Sequence, residues 1–171
     1  MRNEKEVIEL IEKNLSPLET EEKRAQNISV EFEPEDTIQA ISFLKSKSYK
    51  QLSTISCVDW IDDNEFELVY HLYSYDDFIN ISVKTRIDRE KAKFVTLKEV
   101  WPVAEFYERD IHDFFGVEFE GNDNLEELIL ENWNDIPPMR KDFDTRKFVN
   151  EEYEWRDYDG QKHTDWNIFR T

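Results

Sequence analysis

The sequence predicts an α+β fold: a mixed or antiparallel sheet with helices packed mainly on one face, followed by an extended, aromatic-rich C-terminal tail. Three observations predict it. Two stretches of helical periodicity flank a single alternating strand, three further strands follow with only short acidic turns between them, and a helical pattern then returns. Strands joined by such short turns form an antiparallel meander, so the helices are left to cover its apolar face.

The first element is an amphipathic helix over residues 3–15, where apolar side chains recur every three or four positions until Pro17 ends the pattern. Residues 27–34 then alternate apolar and polar side chains, which is the period of a half-buried strand. Residues 33–48 return to helical spacing, with acids in the first turn and lysines in the last, as the helix dipole favours. The order is therefore helix, strand, helix.

The meander comprises residues 51–61, 65–75 and 78–88, with turns at 62–64 and 76–77. Its apolar face is formed by alternate residues of the second and third strands, namely Phe66, Leu68, Tyr70, Leu72, Ile79, Ile81 and Val83. Helical spacing returns from Thr96 to Phe115, with Pro102 suited to the first turn and Gly116 suited to a left-handed C-terminal cap.

The character of the chain changes after Gly116, so we predict an α+β domain over residues 1–121 and an irregular, partner-wrapping extension over residues 122–171. The stretch LEELILEN predicts a short helix that Pro137 and Pro138 end. The remainder has no sustained period but is too rich in rings for ordinary disorder. Its rings are Phe143, Phe148, Tyr153, Trp155, Tyr158, Trp166 and Phe169.

Composition excludes several function classes. A formal net charge of −18 repels phosphate backbones and anionic headgroups, which disfavours nucleic-acid binding and direct binding to a membrane surface. No apolar run approaches the roughly 20 residues that cross a bilayer. A single cysteine, Cys57, allows no internal disulfide and no multi-cysteine metal site, and we predict a buried structural thiol. The three glycines fit neither a Walker loop nor a dinucleotide fingerprint.

Catalytic and metal chemistry have few candidate residues. Glu108 and His112 are four apart on one helix face, a spacing that suits two ligands of one metal, although two ligands do not make a site. Glu105, Glu108, Asp110 and Asp113 could include an acid–base pair. A free-standing metal-dependent enzyme using Glu108, His112 and Asp113 therefore stays open as an alternative, although we expect no catalytic, cofactor-binding or metal-binding residue in this chain.

Two ring-flanked charge clusters are of a different kind. One is Arg109 with Glu108 and Asp110, and the other is Arg140 with Lys141 and Asp142. They are either a solvated face or desolvated anchors at an interface, where arginine and aromatic residues are enriched.

The stretch FYERDIHDFFGVEFEGNDNL, residues 106–125, resembles the signature of the complex I 30 kDa subunit family, the NuoC type. The pattern is W/F-x-ERE-x-x-D-x-FG-I-x-F-x-G-H-P-D-L-R-R-I-L. Further similarity lies in VDW (58–60), FELVYHLYS (66–74), VWP (100–102) and PMRKDF (138–143), in the family's order and spacing. The resemblance covers most of residues 50–143.

The resemblance implies a non-catalytic peripheral-arm subunit of an ion-translocating redox complex, on the cytoplasmic side of a prokaryotic membrane. It implies a hetero-oligomer in which this chain carries no cofactor and docks an iron–sulfur small subunit and a hydrogenase-like large subunit. Iron–sulfur clusters, and in some complexes nickel–iron, belong to those partners. The residues we predict at the partner interface are Glu108, Arg109, Asp110, Asp113, Phe115, Gly116, Arg140, Lys141, Asp142 and Trp155.

The chain departs from the family pattern at two places. Asp110 replaces the usual glutamate, and the family's H-P-D-L-R-R-I-L becomes Asn-Asp-Asn-Leu-Glu-Glu-Leu-Ile-Leu over residues 122–130. Because the basic pair has become acidic, the sequence favours an energy-converting membrane-bound hydrogenase or a sulfur-reducing relative over a quinone-reducing NADH dehydrogenase. An acidic adaptor outside any membrane complex is a further alternative.

Overall fold

The computed structural model describes residues 1–152 and confirms the predicted α+β class. Of the predicted extension over residues 122–171, only residues 153–171, which include Trp155, lie outside the described residues. The proposed domain boundary after residue 121 stays a prediction. The elements are α1 (Glu4–Asn14), β1 (Glu19–Arg24), β2 (Asn27–Glu31), α2 (Pro34–Ser46), β3 (Gln51–Trp60), β4 (Glu65–Ser74), β5 (Ile79–Asp88), β6 (Lys93–Val95), α3 (Ala104–Phe115), β7 (Glu118–Glu120) and α4 (Thr145–Glu152).

The main sheet of the described chain has the order β1-β2-β5-β4-β3. The predicted meander is confirmed, since β3 pairs antiparallel with β4 and β4 pairs antiparallel with β5. The sheet is mixed because β2 lies parallel to β5. Edge strand β1 was not predicted: its sequence, ETEEKR, has no apolar alternation, and its charged, mostly exposed side chains discourage pairing with another molecule.

The hydrophobic core lies on one face of this sheet. Alternate residues of β4 and β5 point into it, and the apolar stripes of α1, α2 and α3 cover them. The opposite face is polar, and ion pairs such as Lys84–Glu67 and Arg86–Glu65 cross between its strands. The prediction that helices pack on one face is therefore confirmed. Within residues 1–152, no helix is both long and apolar enough to traverse a bilayer.

The helix expected from Thr96 to Phe115 is shorter than predicted. Residues 93–95 form β6, which pairs in parallel with β7, and α3 begins only at Ala104. The intervening residues 96–103 form a loop with isolated turns, in which the Leu97 carbonyl oxygen accepts from the N–H groups of Val100 and Trp101, and the Leu97 N–H donates to Glu108 on α3. The C-terminal end is as predicted, with Gly116 in the left-handed region at φ 75°.

The short helix predicted for LEELILEN is wrong. Residues 125–132 are irregular, because the carboxylate of Asp113 takes backbone N–H groups that a helix would need. Helix α4 was not predicted, and it begins where Asp144 Oδ1 accepts from the N–H groups of Arg146 and Lys147. The rings of Trp133, Phe143 and Phe148 pack together at centroid distances of 4.8 to 5.6 Å and hold α4 against the preceding loop.

Candidate docking site at the end of helix α3

Two predicted site residues, Arg109 and Asp113, hold the backbone of residues 126–130. Arg109 Nε and Nη2 donate to the carbonyl oxygens of Glu126 and Glu127, at 3.1 and 3.0 Å. Asp113 Oδ2 accepts from the N–H groups of Leu128 and Ile129, both at 2.9 Å, and from that of Leu130 at 3.4 Å. The two side chains lie one turn apart on α3, so one face of the helix fixes this irregular segment. We call residues 126–130 the pinned segment.

Glu108 is fully buried and anchors the two loops beside α3. Its carboxylate accepts from Thr96 Oγ1 and the Leu97 N–H, both at 2.6 Å, and from Asn122 Nδ2 at 2.9 Å. Burial raises the pKa of Glu108, and these three hydrogen bonds oppose that rise. Because the side chain has no exposed surface in this chain, it acts by positioning the loops after β6 and β7.

The next residue but one, Asp110, has a different environment. It is partly buried on α3, and desolvation together with the neighbouring charge of Asp113 raises the pKa of its carboxyl group. Asp110 is therefore close to Asp113, which holds the pinned segment. The ionised form of its carboxyl group is less favourable than that of a solvated carboxylate.

Phe115 is the last residue of α3 and Gly116 is its C-terminal cap. Arg140, from the second predicted charge cluster, packs against this helix end. Arg140 Nε donates to the carbonyl oxygen of Phe115 at 2.7 Å, and its guanidinium lies 5.1 Å from the centroid of the Phe66 ring. A Cβ atom on Gly116 would lie 3.2 Å from Pro137 Cγ and 3.5 Å from Arg140 Nη2. The absence of a side chain at Gly116 lets residues 137–140 approach the end of α3.

A cluster of ion pairs connects Lys141 and Asp142, which directly follow Arg140, to the main sheet. Arg89 binds Asp59 through two hydrogen bonds and binds Asp142 Oδ1 at 2.6 Å. The backbone N–H of Lys141 donates to Asp59 Oδ2 at 2.8 Å, while its ammonium lies 5.8 Å from the Trp60 ring. Desolvation raises the pKa of Asp59, but the Arg89 and Lys141 hydrogen bonds outweigh it and the pKa is lowered.

The geometry does not bring Glu108, His112 and Asp113 together as a metal site. Glu108 is bonded to the loops after β6 and β7, His112 Nδ1 lies 2.9 Å from the carbonyl oxygen of Val117, and Asp113 binds the pinned segment. Across the described part of the chain, no group of three or more His, Cys, Asp or Glu side chains is placed to hold a metal ion. Cys57 is partly rather than fully buried, and burial raises the pKa of its thiol.

Four residues that complete the site were not predicted from the sequence. Asp59 and Arg89 fix the segment around Lys141, while Thr96 and Asn122 surround Glu108. Asp59 could have been found from the sequence, because it lies in the VDW motif within a strand predicted to be apolar. A charged residue on the buried face of a strand requires a partner. The partners of Glu108 had no comparable signal, because they are ordinary polar residues in loops.

The comparisons extend the resemblance. A family model described as the 30 kDa subunit of respiratory-chain NADH dehydrogenase matches residues 30–149. A subunit of the NADH-quinone oxidoreductase of Moorella thermoacetica is 34% identical over 64% of this chain and 76% of its own length. The mitochondrial 30.4 kDa subunit of the Neurospora crassa NADH-ubiquinone oxidoreductase is 33% identical over 74% of this chain, which spans 46% of that protein.

Among solved structures, a chain in the membrane-bound sulfane sulfur reductase, an archaeal respiratory membrane complex, superposes with a TM-score of 0.80 at 33% identity. That superposition covers 95% of this chain and 98% of the other. The matched family segment contains the elements from α2 to β7 and both charge clusters of the site. The chain belongs to the family of the 30 kDa subunit of respiratory-chain NADH dehydrogenase.

Proposed function

We propose that this chain is a non-catalytic, peripheral subunit of a membrane-associated redox complex, and that it docks an iron–sulfur small subunit and a hydrogenase-like large subunit. The observation that carries the proposal is that the charged residues of its motifs bind the chain's own backbone. The side chains of Arg109, Asp113 and Arg140 form hydrogen bonds with the chain's own backbone. These bonds fix an irregular, partly apolar surface. A residue set that builds a rigid surface suits a scaffold, and family membership supports the same function.

The extent of the matches favours one type of complex. The match to the sulfane sulfur reductase chain extends over nearly the full length of both chains, whereas the Neurospora crassa subunit is about twice as long as the matched region. This supports a membrane-bound hydrogenase or sulfur-reducing complex, with the inverted charge of the pinned segment as further support. Iron–sulfur clusters, and nickel–iron where present, would then lie in partner subunits.

We further propose that the complex holds the chain on the cytoplasmic side of the membrane. The net charge of −18 opposes direct attachment to anionic lipids. Attachment would therefore depend on other subunits of a hetero-oligomer.

The test is purification of the tagged chain from its native host under conditions that keep membrane complexes intact, followed by identification of the recovered subunits. We expect iron–sulfur and hydrogenase-like subunits in stoichiometric amounts. Recovery of the chain alone, with bound metal or substrate turnover, would favour the free-standing enzyme. Recovery of a basic soluble protein without those subunits would favour the adaptor.

Arg109→Ala separates a structural from a catalytic role. We expect less assembled complex, because the pinned segment loses the two hydrogen bonds that Arg109 donates to its carbonyl groups. Electron transfer per assembled complex should be unchanged. The matched control is Lys93→Ala, which removes an exposed ion pair with Glu118 between the two short strands that flank α3. An Arg109→Ala complex that kept all of its subunits but lost electron transfer would contradict the scaffold.

A further inference from the structure

The pinned segment presents apolar side chains whose backbone is fixed before any partner binds. We propose that Leu128, Ile129 and Met139 form a partner-contact surface, and that its occupant is a subunit face with an apolar centre and a basic rim. This inference rests on the proposed function, since it names the surface and the chemistry of the partner for the same docking site.

Helix α3 holds the pinned segment by its main chain. All five hydrogen bonds from α3 reach its main chain: Arg109 binds two carbonyl groups, and Asp113 binds three N–H groups. None of these bonds depends on the side chains at residues 126–130. The segment can therefore change side chains while it keeps its conformation, which suits a surface that determines which partner binds.

Met139 is attached to the same end of α3 as the pinned segment. Its N–H donates to the carbonyl oxygen of Phe114 at 3.1 Å, and the next residue, Arg140, binds the carbonyl oxygen of Phe115. Asp113 is the neighbour of Phe114 and holds Leu128 and Ile129. Two stretches that are separated in sequence thus attach to the same last turn of α3, which places the three apolar residues around one helix end.

All three apolar side chains are exposed. Leu128 is 40% exposed, and Ile129 and Met139 are each 57% exposed. A scattered exposed apolar residue needs no explanation, but three on a prearranged backbone at one helix end indicate a contact surface. Because Arg109 and Asp113 have already ordered the backbone, a partner that covers these side chains loses less conformational entropy on binding.

The negative charge around the three apolar residues selects the partner. No lysine or arginine occurs between Arg109 and Arg140, and the same interval holds nine acidic residues. Of these, Glu126, Glu127 and Glu131 are exposed beside the apolar residues, and none forms an ion pair within residues 1–152. A basic rim on the partner would complement them. A second copy of this chain, also at −18, would be repelled, so the occupant is a different polypeptide.

The apolar part of the surface is tested with the double variant Leu128→Ser/Ile129→Ser in the full chain, purified from the native host. We expect partner recovery to fall roughly tenfold or more, as for central interface residues. The urea unfolding midpoint of the isolated variant should match that of the wild type. Leu18→Ser is the matched control, because Leu18 is also 57% exposed but lies just before β1, and it should leave recovery unchanged.

The charged rim is tested separately with Glu126→Gln/Glu127→Gln, which keeps hydrogen-bonding capacity and exposed positions. We expect weaker recovery at low salt, and a smaller loss of recovery as salt is raised than the wild type shows.

Three outcomes are decisive. A wild type that recovers its subunits while the Leu128/Ile129 variant recovers them equally well overturns this inference and leaves the proposed function standing. An equal loss with Leu18→Ser also overturns it. A wild type that recovers no such subunits overturns the proposed function and this inference together.

Discussion

The guanidinium of Arg89 and the carboxylate of Asp59 form a two-point ion pair, with Nε–Oδ1 at 2.7 Å and Nη2–Oδ2 at 3.0 Å. Only 2% of the Asp59 side chain and 11% of the Arg89 side chain are exposed. The pair joins the end of β3 to the residue after β5. Arg89 also binds Asp142, and Asp59 accepts from the Lys141 N–H, so the pair fixes residues 141–142 as well. A buried pair of this kind stabilises only while both members are present.

Arg89→Ala should therefore lower the free energy of unfolding by about 3–5 kcal/mol, because it leaves the Asp59 charge buried without its partner. Urea denaturation followed by circular dichroism measures the change. Lys93→Ala is the control: both members of the Lys93–Glu118 pair are more than half exposed, and its removal should cost less than about 1 kcal/mol. Equal effects of the two substitutions would contradict the structural role of the Arg89 pair.

The raised pKa of Glu108 predicts a pH dependence of stability. The folded chain holds a proton on this group at a pH where the unfolded chain, near the ordinary value of 4.5, has released it. Stability from this group is thus fully present below pH 4.5 and is lost as pH rises through the raised folded-state pKa. Relative to Glu108→Gln, the wild type should lose stability over that window, as measured by urea unfolding at successive pH values.

Glu118→Gln is the comparison of opposite sign. The ion pair with Lys93 lowers the pKa of Glu118, so its contribution is present above 4.5 and is lost as pH falls through the lowered folded-state pKa. If the Glu108 and Glu118 variants diverged from the wild type in the same direction, burial would not be the dominant influence on Glu108.

Gly116→Ala should destabilise the chain by about 1–2 kcal/mol, because a left-handed backbone is costly for any residue with a Cβ atom. The added atom would also press on Pro137, which lies 3.2 Å away. Thermal unfolding measures the loss. Asn64→Gly is the reciprocal control at another left-handed position, φ 57°, and should change stability by less than about 0.5 kcal/mol. An unchanged midpoint for Gly116→Ala would show that the helix end relaxes freely.

Cys57 should react slowly with thiol reagents in the folded chain. Burial raises the pKa of its thiol, and each unit of rise lowers the reactive thiolate fraction about tenfold. The rate of reaction with a chromogenic disulfide at neutral pH is the measurement. Because Cys57 is the only cysteine, the same chain in urea serves as its own control and should react at least ~10-fold faster. Equal rates would show that β3 opens readily.

The meander was predictable because its information is local. Along β4 and β5 apolar side chains alternate with polar ones, and only one register places Phe66, Leu68 and Tyr70 on the covered face. The left-handed cap at Gly116 was predictable for the same reason, since glycine after a helical pattern has a local conformational cause. Strand β1 carries no such pattern and forms because β2 offers it an edge.

The candidate site was only partly predictable, because its contacts are long-range. Residue types and spacing singled out Arg109 and Asp113, but the pattern could not distinguish bonds to a partner from bonds to residues 126–130 of the same chain. The same bonds explain why LEELILEN is not helical despite its favourable composition. Whether the predicted interface residues also contact a partner stays a prediction, as does the role of Trp155.

The two strands that flank α3 in sequence, β6 and β7, pair with each other, and Glu108 on α3 binds the loop after each of them. Strands β6 and β7 are only three residues long and pair with each other, so we expect neither to persist without the other or without the Glu108 carboxylate that links their loops. Amide protons across residues 93–122 should consequently exchange with solvent in a single collective opening, rather than fray one element at a time. We therefore expect the candidate docking end to open as one cooperative unit, in which loss of either strand would reach the helix.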